Sequence, residues 1–201
     1  MKRAFALAVV PALAIALTAC GDDKDSGGAS PGHSMPGHSM PASPGGSQAG
    51  PHNAQDVTFA QMMIPHHEQA IEMSDLAASR ASSPEVEKLA TQIKSAQGPE
   101  IRKMTAWLTS WGASPEAGGM NHGAMHGMMT EKDMKDLKAA KGEPFDTSFL
   151  DMMIKHHQGA VAMARTEQSS GRSPEAKQMA AGIVSSQTAE IEKMQTLLKQ
   201  L

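Results

Sequence analysis

Residues 59–108 and 149–198 align without a gap, and 21 of the 50 paired positions are identical. The period of 90 residues is far longer than the roughly 20–45 residues of a solenoid unit. Each copy therefore reads as half of a duplicated domain. The tripeptide Ser-Pro-Glu recurs at 83–85 and 173–175 and combines three helix-start signals. The serine hydroxyl accepts from a free N–H of the first turn, proline at the first helical position loses no hydrogen bond, and the acid sits at the positive end of the helix dipole. Upstream, from Asp56 to about residue 82, apolar residues keep a helical spacing. Downstream, Ala90, Ile93, Gln97, Ile101, Met104 and Leu108 recur every three or four residues, the mark of one buried helix face. No segment alternates with period two.

Two antiparallel αα-hairpins, 56–112 and 144–201, predict an all-α four-helix bundle. The connection 113–143 holds a Gly/Met/His stretch and then TEKDMKDLKAAK at 130–141. The latter reads as a short amphipathic helix resting on Met134 and Leu137, with Gly142 as its C-cap.

Within the repeat stand MMIPHH at 62–67 and MMIKHH at 152–157, each followed six residues on by a further methionine, Met73 or Met163. At about 100° per residue, Met62, His66 and Met73 share one narrow stripe, with Met63 and His67 on its shoulder. The second copy repeats the pattern with Met152, His156, Met163, Met153 and His157. Imidazoles on a buried face need partners. Folding each hairpin at its Ser-Pro-Glu turn brings Gln97 and Glu100 level with His66 and His67, and Gln187 and Glu190 level with His156 and His157. There they can orient the rings by accepting N–H bonds. Pro65 and Gly98-Pro99 fall at the same depth and predict bends in the first hairpin, with the second straighter.

Thioether and imidazole together suit Cu(I) and Ag(I), whereas carboxylate-rich sites suit Mg, Ca or Mn. The candidate ligands are Met62, Met63, His66, His67, Met73, Met152, Met153, His156, His157 and Met163. His122, Met125 and His126 of MNHGAMHGMM (120–129) and the Gly-His-Ser-Met units at 32–35 and 37–40 read as flexible collectors of the same ion. The competing reading makes the methionines core filler and the His/Met layers mere packing in a non-metal interaction module.

Residues 1–20 carry Lys2-Arg3, an apolar run and Leu17-Thr18-Ala19-Cys20, the pattern of a secretory signal. The run is shorter than the ~20 residues a spanning helix needs. Leu-Thr-Ala-Cys resembles a bacterial lipobox, which implies a lipid on Cys20, the single cysteine, so no intramolecular disulfide is expected. Residues 21–55, rich in Gly, Ser, Pro and His, are expected to form a disordered tether. The expectation is an exported protein anchored by lipid to the extracytoplasmic side of a bacterial membrane. Without Lys2 and Arg3, 16 basic residues face 21 acids, which argues against a nucleic-acid partner. The one Gly-x-Ser-x-Gly match, at 28–32, falls in the Gly/Ser/Pro tether and not between a strand and a helix, and no phosphate-cradling glycine loop or Glu-x-x-His pair occurs, so no enzyme is expected. The expected partners are the metal ion, the membrane, and a copper donor or acceptor protein.

The pattern F-x-x-M-M-I-x-H-H-x-x-A-x-x-M, with Phe145-Asp146 upstream and Q-x-x-E-I-x-x-M downstream, resembles the bacterial domain of unknown function 305 family over residues 55–201. The resemblance implies a ferritin-like four-helix bundle, often exported, with members that bind copper and contribute to copper tolerance. It implies that His66, His67, His156, His157 and the neighbouring methionines are the metal positions. The copies differ at Pro65/Lys155 and Trp107/Leu197, so the two halves are expected to bind with unequal strength, whether they share one ion at the bundle centre or hold one each.

Overall fold

A computed structural model describes residues 51–115 and 127–201. Five helices occupy them, α1 Ala54–Arg80, α2 Pro84–Ser110, α3 Glu131–Ala139, α4 Glu143–Ser170 and α5 Pro174–Leu198, and there is no strand among the described residues. The duplicated hairpins are α1–α2 and α4–α5, and they meet chiefly along α1 and α4. The fold is the expected all-α bundle. Ser83 and Ser173 cap α2 and α5, accepting from the N–H groups of Val86 and Ala176, with proline in the first turn of each. α1 and α2 continue as unbroken α-helix through Pro65 and Pro99.

α3 lies where the sequence places it, with Met134 and Leu137 buried, but Gly142 does not cap it. Ala140 ends α3, and Gly142 instead begins α4 at φ 65°, a left-handed conformation that glycine adopts without steric cost. Its N–H donates to the Arg80 carbonyl at 2.7 Å, fastening the end of the α3 connection to the end of α1.

The two hairpins are locked by a reciprocal pair of aspartates, Asp56 and Asp146, both fully buried. The Asp146 carboxylate accepts from the N–H of Ser82 (3.1 Å) and Ser83 (2.9 Å) and from the Ser82 hydroxyl (2.6 Å). Asp56 accepts from the N–H of Arg172 (3.0 Å) and Ser173 (2.8 Å). Each carboxylate thus holds the turn of the other hairpin. Asp56 and Asp146 are 90 residues apart, so the fold carries an approximate two-fold axis and α1 runs antiparallel to α4. Burial opposes ionisation of Asp56, but hydrogen bonds from Glu167 and from the Asn53, Ser173 and Arg172 amides outweigh it and hold its carboxyl below the usual range. For Glu167, burial and the adjacent Asp56 carboxylate act the other way, pushing its carboxyl up to about 8. At neutral pH one side of this pair is charged and the other keeps its proton.

The apolar core falls into two clusters. One contains Phe59, Met63, Met104, Leu108 and Ile183. The other contains Met73, Leu89, Phe145, Phe149, Met153 and Met194, with Met134 and Leu137 of α3. Each fully buried side chain of this size contributes about 1.5–3 kcal/mol relative to exposure.

Candidate metal centre

Four imidazoles, those of His66, His67, His156 and His157, are fully buried in the bundle. α1 and α4 each supply two of them as consecutive residues. α1 has two neighbours, and adjacent residues on a helix differ by about 100° in direction. His66 turns toward α4, where its ring meets that of His156 at a centroid distance of 3.7 Å and an angle of 39°. His67 turns toward α2, where its Nε2 lies 2.7 Å from Glu100 Oε2. The second half repeats this, with His157 Nε2 at 2.7 Å from Glu190 Oε2 and the His156 and His157 ring centroids 6.4 Å apart.

A carboxylate can only accept, so in each pair the imidazole donates from Nε2. In the neutral tautomer that donates from Nε2, Nδ1 of His67 and His157 is the acceptor nitrogen. Both Nδ1 atoms are buried and make no hydrogen bond among the described residues. The Glu100 and Glu190 carboxylates are partly exposed and lie on the outer side of the rings, as orienting partners do. Gln97 and Gln187 are buried beside them in sequence, and their side-chain carbonyls are likewise without a partner. Burial, then the nearby imidazoles of His66, His157 and His67, hold His156 well below the ordinary histidine range. A neutral imidazole is the form that binds a metal.

The methionines divide by the helix they face. Met63 and Met153 are fully buried, each in one of the apolar clusters, and Met73 joins Met153 in the second. Met62 and Met163 are only half-buried, and together they line a cavity between α1 and α4. Met152, also half-buried, packs against the second cluster. The stripe read from the sequence as the buried face is therefore the one turned to the α1/α4 groove, where His66, Met73 and His156 are fully buried and Met62, Met152 and Met163 are not, while Met63 and Met153 on its shoulder are fully buried as well. Among the described residues no three His, Cys, Asp or Glu side chains converge as a ready-made cage. His122, Met125, His126 and Cys20 lie outside the described residues, as do the signal and most of the tether.

Sequence reading missed the roles of Asp56, Asp146 and Glu167. The signal for the first two was present, because Asp stands three residues before Phe in both copies, at Asp56-x-x-Phe59 and Asp146-x-x-Phe149. Nothing marked Glu167, whose counterpart is Ala77.

The profile of the domain of unknown function DUF305 matches residues 56–198. The chain belongs to the DUF305 family. Among solved structures it is similar to a DUF305 fragment from Deinococcus radiodurans, at 35% identity and a TM-score of 0.69, covering 75% of this chain and 99% of that one. A candidate secreted DUF305 protein from Streptomyces coelicolor is 34% identical, with a TM-score of 0.68 over 73% of this chain and 93% of that one. CopM in its Cu(I)-bound form is 34% identical, with a TM-score of 0.61 over 72% of this chain and 96% of that one. CopM has also been solved with Cu(II) and with silver. No curated protein matches. Among the described residues no helix is long and apolar enough to cross a membrane.

Proposed function

We propose that this DUF305 protein binds Cu(I), and Ag(I) as its larger analogue, through imidazole and thioether ligands, and that it sequesters the ion or hands it to a partner outside the cytoplasm. One observation carries the reading. Four imidazoles are buried in one layer, and in two of them Nδ1 has no hydrogen-bond partner among the described residues while a glutamate holds the opposite nitrogen. A packed core has no use for such nitrogens, since a buried acceptor without a partner costs about 1–3 kcal/mol. A soft cation would satisfy them, and thioethers without thiols favour Cu(I) among the common ions. The copper and silver forms of CopM support the choice of ion. The family's candidate secreted member supports export, and Cys20 is the site proposed for the lipid anchor. The chemistry is ligand exchange, with no covalent bond made or broken in a substrate.

The test is anaerobic titration of the mature protein with Cu(I) against a competing chromogenic chelator. Binding is expected for the wild type, with a large loss when His66, His67, His156 and His157 are replaced together while the helical signal survives. A wild-type protein that leaves all copper on the chelator would overturn the proposal. It would return the layer to the packing role of a non-metal interaction module.

A further inference from the structure

The approximate two-fold axis that passes between His66 and His156 relates the two ends of the α1/α4 groove, yet the ends are built differently. At one end, a cavity of about 180 Å³ is lined by Gln55, Thr58, Phe59, Met62, Met163 and Thr166, and no described residue fills it. At the other end the counterparts of those lining residues include Phe145, Phe149, Met152, Met73 and Leu76. They form one packed cluster with Met134 and Leu137 of α3, so α3 fills that end.

The repeat breaks where the α3 segment docks. Gln69 and Gly159 occupy equivalent positions. Gln69 holds the Met129 backbone from both sides, accepting from its N–H at 2.8 Å and donating to its carbonyl at 2.9 Å. Gly159 leaves room for Gly127, whose added Cβ would stand 2.7 Å from the Lys155 carbonyl and 3.0 Å from Gly159 Cα. The difference between the copies at this one position thus admits a strap in one orientation only.

We infer that the open end of the groove, lined by Met62 and Met163, is the port through which a soft monovalent cation reaches the buried imidazole layer, α3 having closed the equivalent port. The inference rests on the copper reading above. Met62 is one helical turn from His66 on the same face and Met163 two turns from His156, so thioethers at the rim lead directly to imidazoles within. A half-exposed thioether pair from opposite hairpins binds Cu(I) or Ag(I) softly enough to pass it on.

The experiment is stopped-flow transfer of Cu(I) from a chromogenic chelator to the full chain, in the wild type, in Met62→Leu/Met163→Leu and, as the second variant, in Met134→Leu, which removes an α3 thioether from the closed end. These swaps nearly conserve volume, and circular dichroism checks the fold. Loading is expected to slow about tenfold in the first variant and to stay within about twofold of wild type in the second, since only the first removes soft donors at an open rim. Equal slowing in both, or none in the first, overturns the port while leaving copper binding intact. A wild type that takes up no copper overturns both. Peroxide footprinting of the unmutated protein gives an independent reading. Met62 and Met163 should oxidise before Met63, Met73 and Met153, and Ag(I) should protect them; the reverse order sinks the port.

Discussion

The ring of His66 meets the ring of its own repeat partner, His156, with centroids 3.7 Å apart. Equivalent residues can touch only at the symmetry axis of a duplicated structure. The contact therefore marks the centre of the bundle, and the two histidine pairs form one layer instead of two remote sites. The apolar clusters lie to either side of it.

The glutamates that orient the outer imidazoles should matter for binding without being needed for folding. Glu100→Gln and Glu190→Gln can accept a hydrogen bond but do not favour the same ring as strongly. Loss of such an orienting partner typically costs 10–100-fold in metal affinity. We expect a drop in Cu(I) affinity of about that size in competition titrations, with a midpoint of urea unfolding close to wild type.

The aspartate clamps should behave in the opposite way. Asp146→Ala removes the acceptor for two part-buried amides and one hydroxyl at the first hairpin's turn, breaking the contact that joins the hairpins there. Hydrogen bonds to charged groups contribute about 1.5–3 kcal/mol each in net terms. A loss of roughly 2–4 kcal/mol in urea unfolding is expected, with Asp146→Asn milder because it keeps one acceptor.

Glu167 gives the stability a pH dependence with a definite sign. Its carboxyl titrates near 4.5 when unfolded and at about 8 when folded, so between these values the native state holds a proton that the unfolded state has released. Stability from this group then falls as pH rises. It is fully present below about 4.5 and is lost progressively up to about 8. Glu167→Gln should flatten the dependence of urea midpoint on pH across that window, and an unchanged slope would show that the carboxyl is not retaining its proton.

The strap should be separable from the bundle. Gln69→Ala removes two hydrogen bonds to Met129, about 1–3 kcal/mol in all. Gly127→Ala adds a Cβ at φ 88° against the α4 backbone. In both variants hydrogen exchange in α3 should accelerate by about tenfold or more, while amides of α2 and α5 keep their protection.

Much of this molecule is legible in its primary structure. The ungapped repeat, the Ser-Pro-Glu helix starts and the helical spacing of apolar residues are local signals, and local signals suffice to define helices and to count hairpins. The level of Glu100 with His67, and of Glu190 with His157, also follows from residue counting, because an antiparallel hairpin has one register once its turn is known. Three things needed the tertiary structure. Helical angle alone placed Met62 on one buried stripe with His66 and Met73, but α1 packs chiefly against two helices at once, so full burial runs from Met73 and His66 round to Met63 and His67 and leaves Met62 at its edge. The aspartate clamps join residues more than 60 apart, and no spacing rule reaches across two hairpins. Finally, the repeat implies two equal ends to the α1/α4 groove. The difference between Gln69 and Gly159 acquires meaning only when the 127–142 segment is seen lying on one of them, since what a side chain admits or excludes depends on which distant backbone approaches it.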